Sequence, residues 1–212
     1  KLDGLAEAWY SDGQLKSSAV YRLGALEGKA TEWHENGKIR IQATFKGGKP
    51  IQSLKHWHAN GQLAKEVKFG SPGVEEGNAL LWYPDGSKMR EANYRKGKVE
   101  GTITEWHPNG KRKAVTPFKS GKQNGKAIEW YLGGVKKTEA LYRNGQAHGL
   151  QLSWHGNGKK RAEATYENGK INGIVREWND QEGLIYEATW KNSKLHGSFV
   201  KWDENGKVII RK

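Results

Sequence analysis

The chain has no cysteine, a single Met, 5 Pro, and only 35% hydrophobic residues in a length of 212. The absence of cysteine excludes disulfides, thiolate metal sites and cysteine nucleophiles. No apolar run approaches the roughly 20 residues of a membrane-spanning helix. With Leu, Ile and Val scarce and a mean hydropathy of −0.90, a thick aliphatic core is not expected. The chain opens at Lys1 with neither a Met nor a signal-type apolar stretch, so it reads as an excerpt or a mature form. Against these absences stand 10 Trp, 8 Tyr and 28 Gly, with 36 Lys and Arg over 23 Asp and Glu for a net charge of +13. Disordered chains are poor in aromatics, and abundant Trp and Gly suit turns and aromatic rungs.

The tryptophans are periodic. Trp9, Trp33, Trp57, Trp82, Trp106, Trp130, Trp154, Trp178 and Trp202 are 24 residues apart, except for 25 between Trp57 and Trp82. Five residues before each stands a Gly (Gly4, Gly28, Gly77, Gly101, Gly125, Gly149, Gly173, Gly197), with Gln52 the exception. Twelve after each of the first eight comes Tyr21, Phe45, Phe69, Tyr94, Phe118, Tyr142, Tyr166 or Trp190. Such a period marks a repeat architecture. The whole chain, residues 1–212, reads as one array with units starting near 4, 28, 52, 77, 101, 125, 149, 173 and 197.

Each unit carries two turn signals. Asp12-Gly13, Asn36-Gly37, Asn60-Gly61, Asp85-Gly86, Asn109-Gly110, Asn157-Gly158 and Asn205-Gly206 follow the Trp. Lys96-Gly97, Ser120-Gly121, Asn144-Gly145 and Asn168-Gly169 follow the later aromatic. Both residues of such pairs tolerate positive φ, which marks hairpins. The expected fold is all-β, an elongated single-layer antiparallel sheet of about nine stacked 24-residue β-hairpin repeats, with 17 or 18 strands. Pro84 and Pro108, just before Asp85-Gly86 and Asn109-Gly110, predict a type I turn closed by a glycine bulge, a three-residue loop. That register sets Glu32 opposite Arg40, Glu105 opposite Lys113 and Glu129 opposite Lys137. It also puts Trp154 on the face of Ala162, Ala164 and Tyr166. One face then carries Trp, Ala and Tyr or Phe; the other carries Glu, Lys, Arg and Thr.

Four departures interrupt the repeat: an insertion within 70–76, expected to bend the sheet or bulge a loop; Gly133-Gly134 in place of Asn-Gly; Gln181-Glu182 before a delayed Gly183; and Gln52.

No catalytic constellation stands outside the repeat. His34, His58, His107 and His155 follow the repeat Trp, and equivalent positions two strands apart are about 10 Å distant, too far for one metal with bonds of about 2 Å. They read as turn-adjacent surface residues. Gly121-Lys122-Gln123-Asn124-Gly125-Lys126 falls one residue short of a phosphate-binding loop. Ser198-Phe199-Val200-Lys201 lacks the helix and partner motifs that S-x-x-K chemistry needs. The chain is therefore expected not to be an enzyme and to use no cofactor or metal.

The unit Gly101–Gly125, GTITEWHPNGKRKAVTPFKSGKQNG, and the unit Gly149–Gly173, GLQLSWHGNGKKRAEATYENGKING, resemble the MORN-variant repeat (membrane occupation and recognition nexus). Trp, Asn-Gly-Lys, the later aromatic and the closing Gly recur in register over the whole chain. The resemblance implies stacked hairpins in one twisted antiparallel layer. Bacterial proteins built almost wholly from this repeat resemble YwqK-type antitoxins, which neutralise a cognate toxin. By that resemblance the chain is expected to be a non-catalytic immunity protein of the bacterial periplasm or cell envelope, with the cytoplasm as alternative. Its partner is then a protein toxin with acidic patches, and the free chain a monomer.

Repeat arrays present extended binding surfaces, and Trp, Tyr and Arg dominate interface hot spots. The candidate partner-binding residues are Trp33, Trp57, Trp82, Trp106, Trp130, Trp154 and Trp178; the competing reading makes each Trp part of the thin core that holds the hairpins together. Turn lysines, Lys38, Lys111, Lys159 and Lys207 after the first turn and Lys49, Lys98, Lys122 and Lys170 after the second, line both long edges and steer an acidic partner. An anionic phospholipid surface is the alternative; a nucleic-acid partner is disfavoured by the dispersed Glu rows.

Overall fold

The computed structural model describes residues 1–212. The chain is all-β, with 21 strand segments from Gly4–Trp9 to Val208–Arg211 and no helix. Three of its strands are interrupted just before their glycine: Lys98–Val99 continues as Gly101–Trp106, Lys122–Gln123 as Gly125–Trp130, and Gln146–Ala147 as Gly149–Trp154. Residues 1–101 and 102–212 form two compact units. Within each, consecutive strands pair antiparallel as a meander of hairpins.

The first turn of each repeat takes the predicted form. In the second repeat the Gly37 N–H donates to the His34 carbonyl at 2.9 Å and the His34 N–H donates to the Lys38 carbonyl at 2.8 Å. Gly37 has φ 77°, the left-handed geometry of a type I turn plus glycine bulge. The second turn is a tighter, two-residue hairpin with both central residues at positive φ, as at Asn168 (50°) and Gly169 (79°), the primed turn that matches strand twist.

The face assignment needs correction. Trp154 does pair with Lys160, but the next pair is Ser153 with Ala162, so Arg161 is an extra, bulged residue. The same slip recurs in the other repeats: Trp33 pairs with Ile39 but Glu32 with Ile41, and Trp130 with Lys136 but Glu129 with Thr138. A one-residue slip moves every following side chain to the other face. Trp154 therefore lies opposite the face of Ala162, Ala164 and Tyr166. Two of the three predicted ion pairs form, Arg40 with Glu32 and Lys137 with Glu129 at 3.7 Å, because the bulged residue stays on the side of the acid it flanks.

We call the two surfaces the alanine face and the tryptophan face. Along the centre of the alanine face in residues 1–101 runs an unbroken cross-strand row: Ala6, Ala19, Ala30, Ala43, Leu54, Val67, Ala79 and Ala92. In residues 102–212, Gln151, Ala164, Val175, Ala188 and Phe199 continue the pattern. Seven hydrophobic side chains are buried, among them Ala43, Val67, Ala79, Ala92 and Ala188 of these rows. A methyl group cannot bury itself, so the larger neighbours on that face close over it. This thin row, not the tryptophans, is the most buried part of each unit.

The departures keep the hairpin geometry. Gln52 adopts φ 62° at the position where other repeats have glycine. The insertion reduces to one bulged residue, Gly70, between Phe69 and Ser71, and its turn, Pro72-Gly73, has positive φ at Gly73 alone (74°). No loop is extruded.

Candidate functional site

On the tryptophan face, each Trp pairs across its hairpin with the residue six positions on: Trp9 with Leu15, Trp33 with Ile39, Trp57 with Leu63 and Trp82 with Lys88 in residues 1–101; Trp130 with Lys136, Trp154 with Lys160 and Trp178 with Leu184 in residues 102–212. In two repeats the intervening lysine also reaches the next ring. The Lys136 Nζ lies 4.9 Å from the Trp154 ring centre, and the Lys160 Nζ 5.1 Å from that of Trp178. Such cation–π contacts contribute about 0.5–1 kcal/mol at exposed sites. Trp33, Trp57, Trp82, Trp106, Trp130, Trp154 and Trp178 are all half-buried. Each unit thus presents its tryptophans as a ladder alternating with aliphatic or lysine side chains.

The residue after each Trp was read from the sequence as turn-adjacent surface. It instead fastens hairpin to hairpin. The Tyr10 hydroxyl donates to the Trp33 carbonyl at 2.6 Å, and the Tyr131 hydroxyl to that of Trp154 at 3.0 Å. The Nε2 atoms of His34, His58, His107 and His155 lie 2.8–3.0 Å from the carbonyls of Trp57, Trp82, Trp130 and Trp178. A carbonyl can only accept, so Nε2 carries the proton in each. Period 24 was the available signal: a ring at a fixed offset in most repeats bonds the same backbone atom one repeat on.

The first-turn lysines are also engaged. Lys38 Nζ donates to the Asn60 carbonyl at 2.7 Å and Lys111 Nζ to that of Gly133 at 2.8 Å, while Lys159 pairs with Glu182 at 3.5 Å. Lys49, Lys98, Lys122 and Lys170, along the second turns, are exposed.

Further in on the tryptophan face of residues 102–212 is a network of charges. Glu139 binds Lys126 at 2.6 Å and Lys136 at 2.8 Å. Arg176 bridges Glu187 at 2.6 Å and Glu163 at 3.1 Å, and Lys160 completes Glu163 at 3.1 Å. The Lys126 and Lys136 hydrogen bonds hold the Glu139 carboxyl below its ordinary value. Burial pushes the Glu163 carboxyl up, but Lys160 and Arg176 together outweigh it and the net shift is downward.

The alanine face has clefts beside the first turns. One of about 570 Å³ is lined by Tyr10, Lys16, His34 and Arg40; one of about 370 Å³ by His107, Lys113, Tyr131 and Lys137. Each combines a ring that follows Trp with the bulged cation, a pairing that only the second bulge creates. Nearby His56 sits opposite Lys65. Burial, then the Lys65 and Arg40 charges, lower its pKa against the opposing effect of Glu32.

The family described as MORN repeat variant matches residues 2–22, 26–46, 75–96, 99–120 and 147–168. The chain belongs to the MORN repeat variant family. MORN repeats typically form binding modules rather than enzymes. The hairpins outside the matched residues, including those with Gln52, Gly133-Gly134 and Glu182, pair in the same register as their neighbours. No curated protein matches this MORN chain. Among solved structures it is similar to one described as "Crystal Structure of TcdB2-TccC3-Cdc42", with 9% identity, a TM-score of 0.17, and coverage of 98% of this chain and 16% of that one. The chain thus spans about one sixth of that protein's length.

Proposed function

We propose that the chain is a non-catalytic, protein-binding MORN repeat protein that acts as a bacterial immunity protein, neutralising a cognate toxin by direct contact. The observation that carries the binding reading is the tryptophan ladder. Within each unit every repeat adds one Trp to the same face, half-buried in all but the exposed Trp9, two strands or about 10 Å from the last. Trp is the residue type that most often dominates protein interfaces, because it buries a large area and keeps a polar handle. A row at fixed spacing grips an extended surface, as repeat arrays do. The narrower antitoxin role draws on the resemblance to YwqK-type proteins, and the +13 net charge suits a toxin with acidic patches. That role places the protein in the bacterial envelope.

The test is capture of partners by the purified chain at low and at about 300 mM salt, with the neighbouring open reading frame co-expressed. Exposed charge pairs are heavily screened at the higher salt, whereas an aromatic interface persists. One stoichiometric protein that survives the higher salt, and whose toxicity the chain suppresses, supports the reading. Lipid or nucleic acid alone, lost at the higher salt, overturns it.

A further inference from the structure

The second-turn half of the tryptophan face differs between the two units. In residues 102–212 it carries Leu141, Leu150 and Ile174, exposed by 39%, 51% and 42%. Leu150 pairs with Thr165 and Ile174 with Thr189, so the strip runs across adjacent hairpins. In residues 1–101 only the first repeat has an apolar pair at this rung, Leu5 with Val20; the following repeats hold the polar pairs Lys29 with Thr44, Ser53 with Lys68, and Asn78 with Asn93. The repeat fold forms with polar residues there, so it does not require the apolar strip.

The acceptors beside the border cations differ too. Six residues before the Trp, the first unit uses carboxylates as acceptors: Glu27 accepts the Gly47 N–H at 2.8 Å and Glu76 the Lys96 N–H at 2.7 Å. The second unit gives the same task to a neutral side chain, Asn124 accepting the Asn144 N–H at 3.2 Å. The cations beside the strip therefore have few acids near them. Lys119 stands directly opposite Lys122, and Lys191 opposite Lys194, as Lys46 stands opposite Lys49 and Arg95 opposite Lys98 in residues 1–101. Glu167, opposite Lys170, is bonded to the Asn172 amide at 2.6 Å. Like charges placed directly opposite oppose folding, which leaves a positive row awaiting negative charge.

We propose that Leu141, Leu150 and Ile174, together with Arg143, Lys170 and Lys191, form a docking surface for an acidic protein partner that presents a short apolar ridge flanked by Asp and Glu. The inference rests on the protein-binding reading above and gives the partner its chemistry. The strip spans three strand spacings, about 14 Å, the reach of a few apolar side chains. The cation row speeds encounter and selects for acid, while the strip supplies contacts that salt does not screen. A second copy of this chain would bring a like-charged row to the same border.

The test uses the full chain and a fluorescently labelled 16-residue peptide with Leu on one helical face and Glu on both flanks, read by anisotropy. The controls are a scrambled peptide of the same composition, phosphatidylserine vesicles and a 20-nucleotide single strand. The variants are L150T/I174T, which install a residue type found in other repeats, and K170E/K191E, each checked for an unchanged melting temperature. Binding of the ordered peptide that falls tenfold or more in each variant, and tenfold or more on scrambling, supports the surface. Equal binding of the scrambled peptide, variants that bind as the parent does, or a strip-dependent response only to vesicles, to the oligonucleotide or to self-association overturns it. A captured toxin that still binds L150T/I174T sinks this surface and leaves the protein-binding reading standing; capture of no protein sinks that reading itself.

Discussion

The side-chain amide of Asn109 donates to the Leu132 carbonyl at 2.9 Å, while its oxygen accepts the Lys111 N–H at 3.1 Å. One amide closes its own turn and fastens the turn of the next repeat. Asn36, Asn60 and Asn157 do the same, reaching the carbonyls of Ala59, Pro84 and Asp180 at 2.7, 2.6 and 2.9 Å. Asp is equally good as a turn acceptor, and Asp12 accepts the Gln14 N–H at 3.0 Å. A carboxylate has no hydrogen to donate onward, which gives a physical reason for Asn over Asp in this repeat.

Replacing Asn109 by Asp is expected to keep the turn and lose the link, at a cost of about 0.5–1 kcal/mol for an exposed neutral hydrogen bond. D12N is expected to move stability the other way by a similar amount, because it supplies the missing donor toward the following turn. Urea midpoints measured at constant m would show both shifts. Equal midpoints for N109D and the parent would remove the link from the account of stability.

Gln52 holds φ 62° where eight other repeats have glycine. A side chain in that region costs about 1–2 kcal/mol, and glycine returns part of that through its freer unfolded chain. Q52G is therefore expected to stabilise by about 0.5–1 kcal/mol, read as a higher melting temperature. Q52A, which keeps the strained backbone and loses the longer side chain, should not rise.

The repeat, the type of the first turn and the hairpin architecture were legible because each is written locally, in Trp period, Asn-Gly pairs and alternation. The face on which Trp154 lies was not. It depends on a second bulge at Arg161, and nothing in the identity of Arg161 distinguishes a bulged residue from a paired one. The opposing charges of Glu32 and Arg40 appeared to fix the register, yet they meet equally well across a bulge. The bonds from His34 or Asn36 to the next repeat were hidden for a different reason: they require knowing which backbone atom lies above which side chain. The alanine row was visible as composition, but its burial came only with the corrected face.

Acid should weaken the fold in two stages. His56 has its pKa lowered from the ordinary 6.5, first by burial and then by Lys65 and Arg40. The unfolded chain therefore takes up this proton more readily, and the stability tied to it, full above 6.5, declines as pH falls below that value. Glu139 and Glu163 are held below the ordinary 4.5, so their contribution stands above 4.5 and is lost as pH drops further, through their folded values. Thermal melts from pH 8 to 3 should show a shallow decline beginning near 6.5 that H56Q removes. A steeper one should begin near 4.5, which E139Q reduces. A curve flat down to pH 4.5 in the parent would contradict the role of His56.

The bulge separates a side chain from a place in the chain. Arg161 is exposed, and trimming such a surface side chain usually changes stability by no more than about 0.5 kcal/mol, so R161A is expected to be near neutral. Deleting Arg161 joins Lys160 directly to Ala162; Trp154 then keeps Lys160, Ser153 keeps Ala162, and no side chain changes face. What the deletion removes is the local bend and extra twist of a bulged strand, to which the neighbouring hairpins are fitted. It is therefore expected to cost more than R161A but less than about 3 kcal/mol, with unfolding still cooperative. Circular dichroism melts of the two variants side by side test this, and a deletion variant that no longer melts cooperatively would show that the register needs the bulge itself.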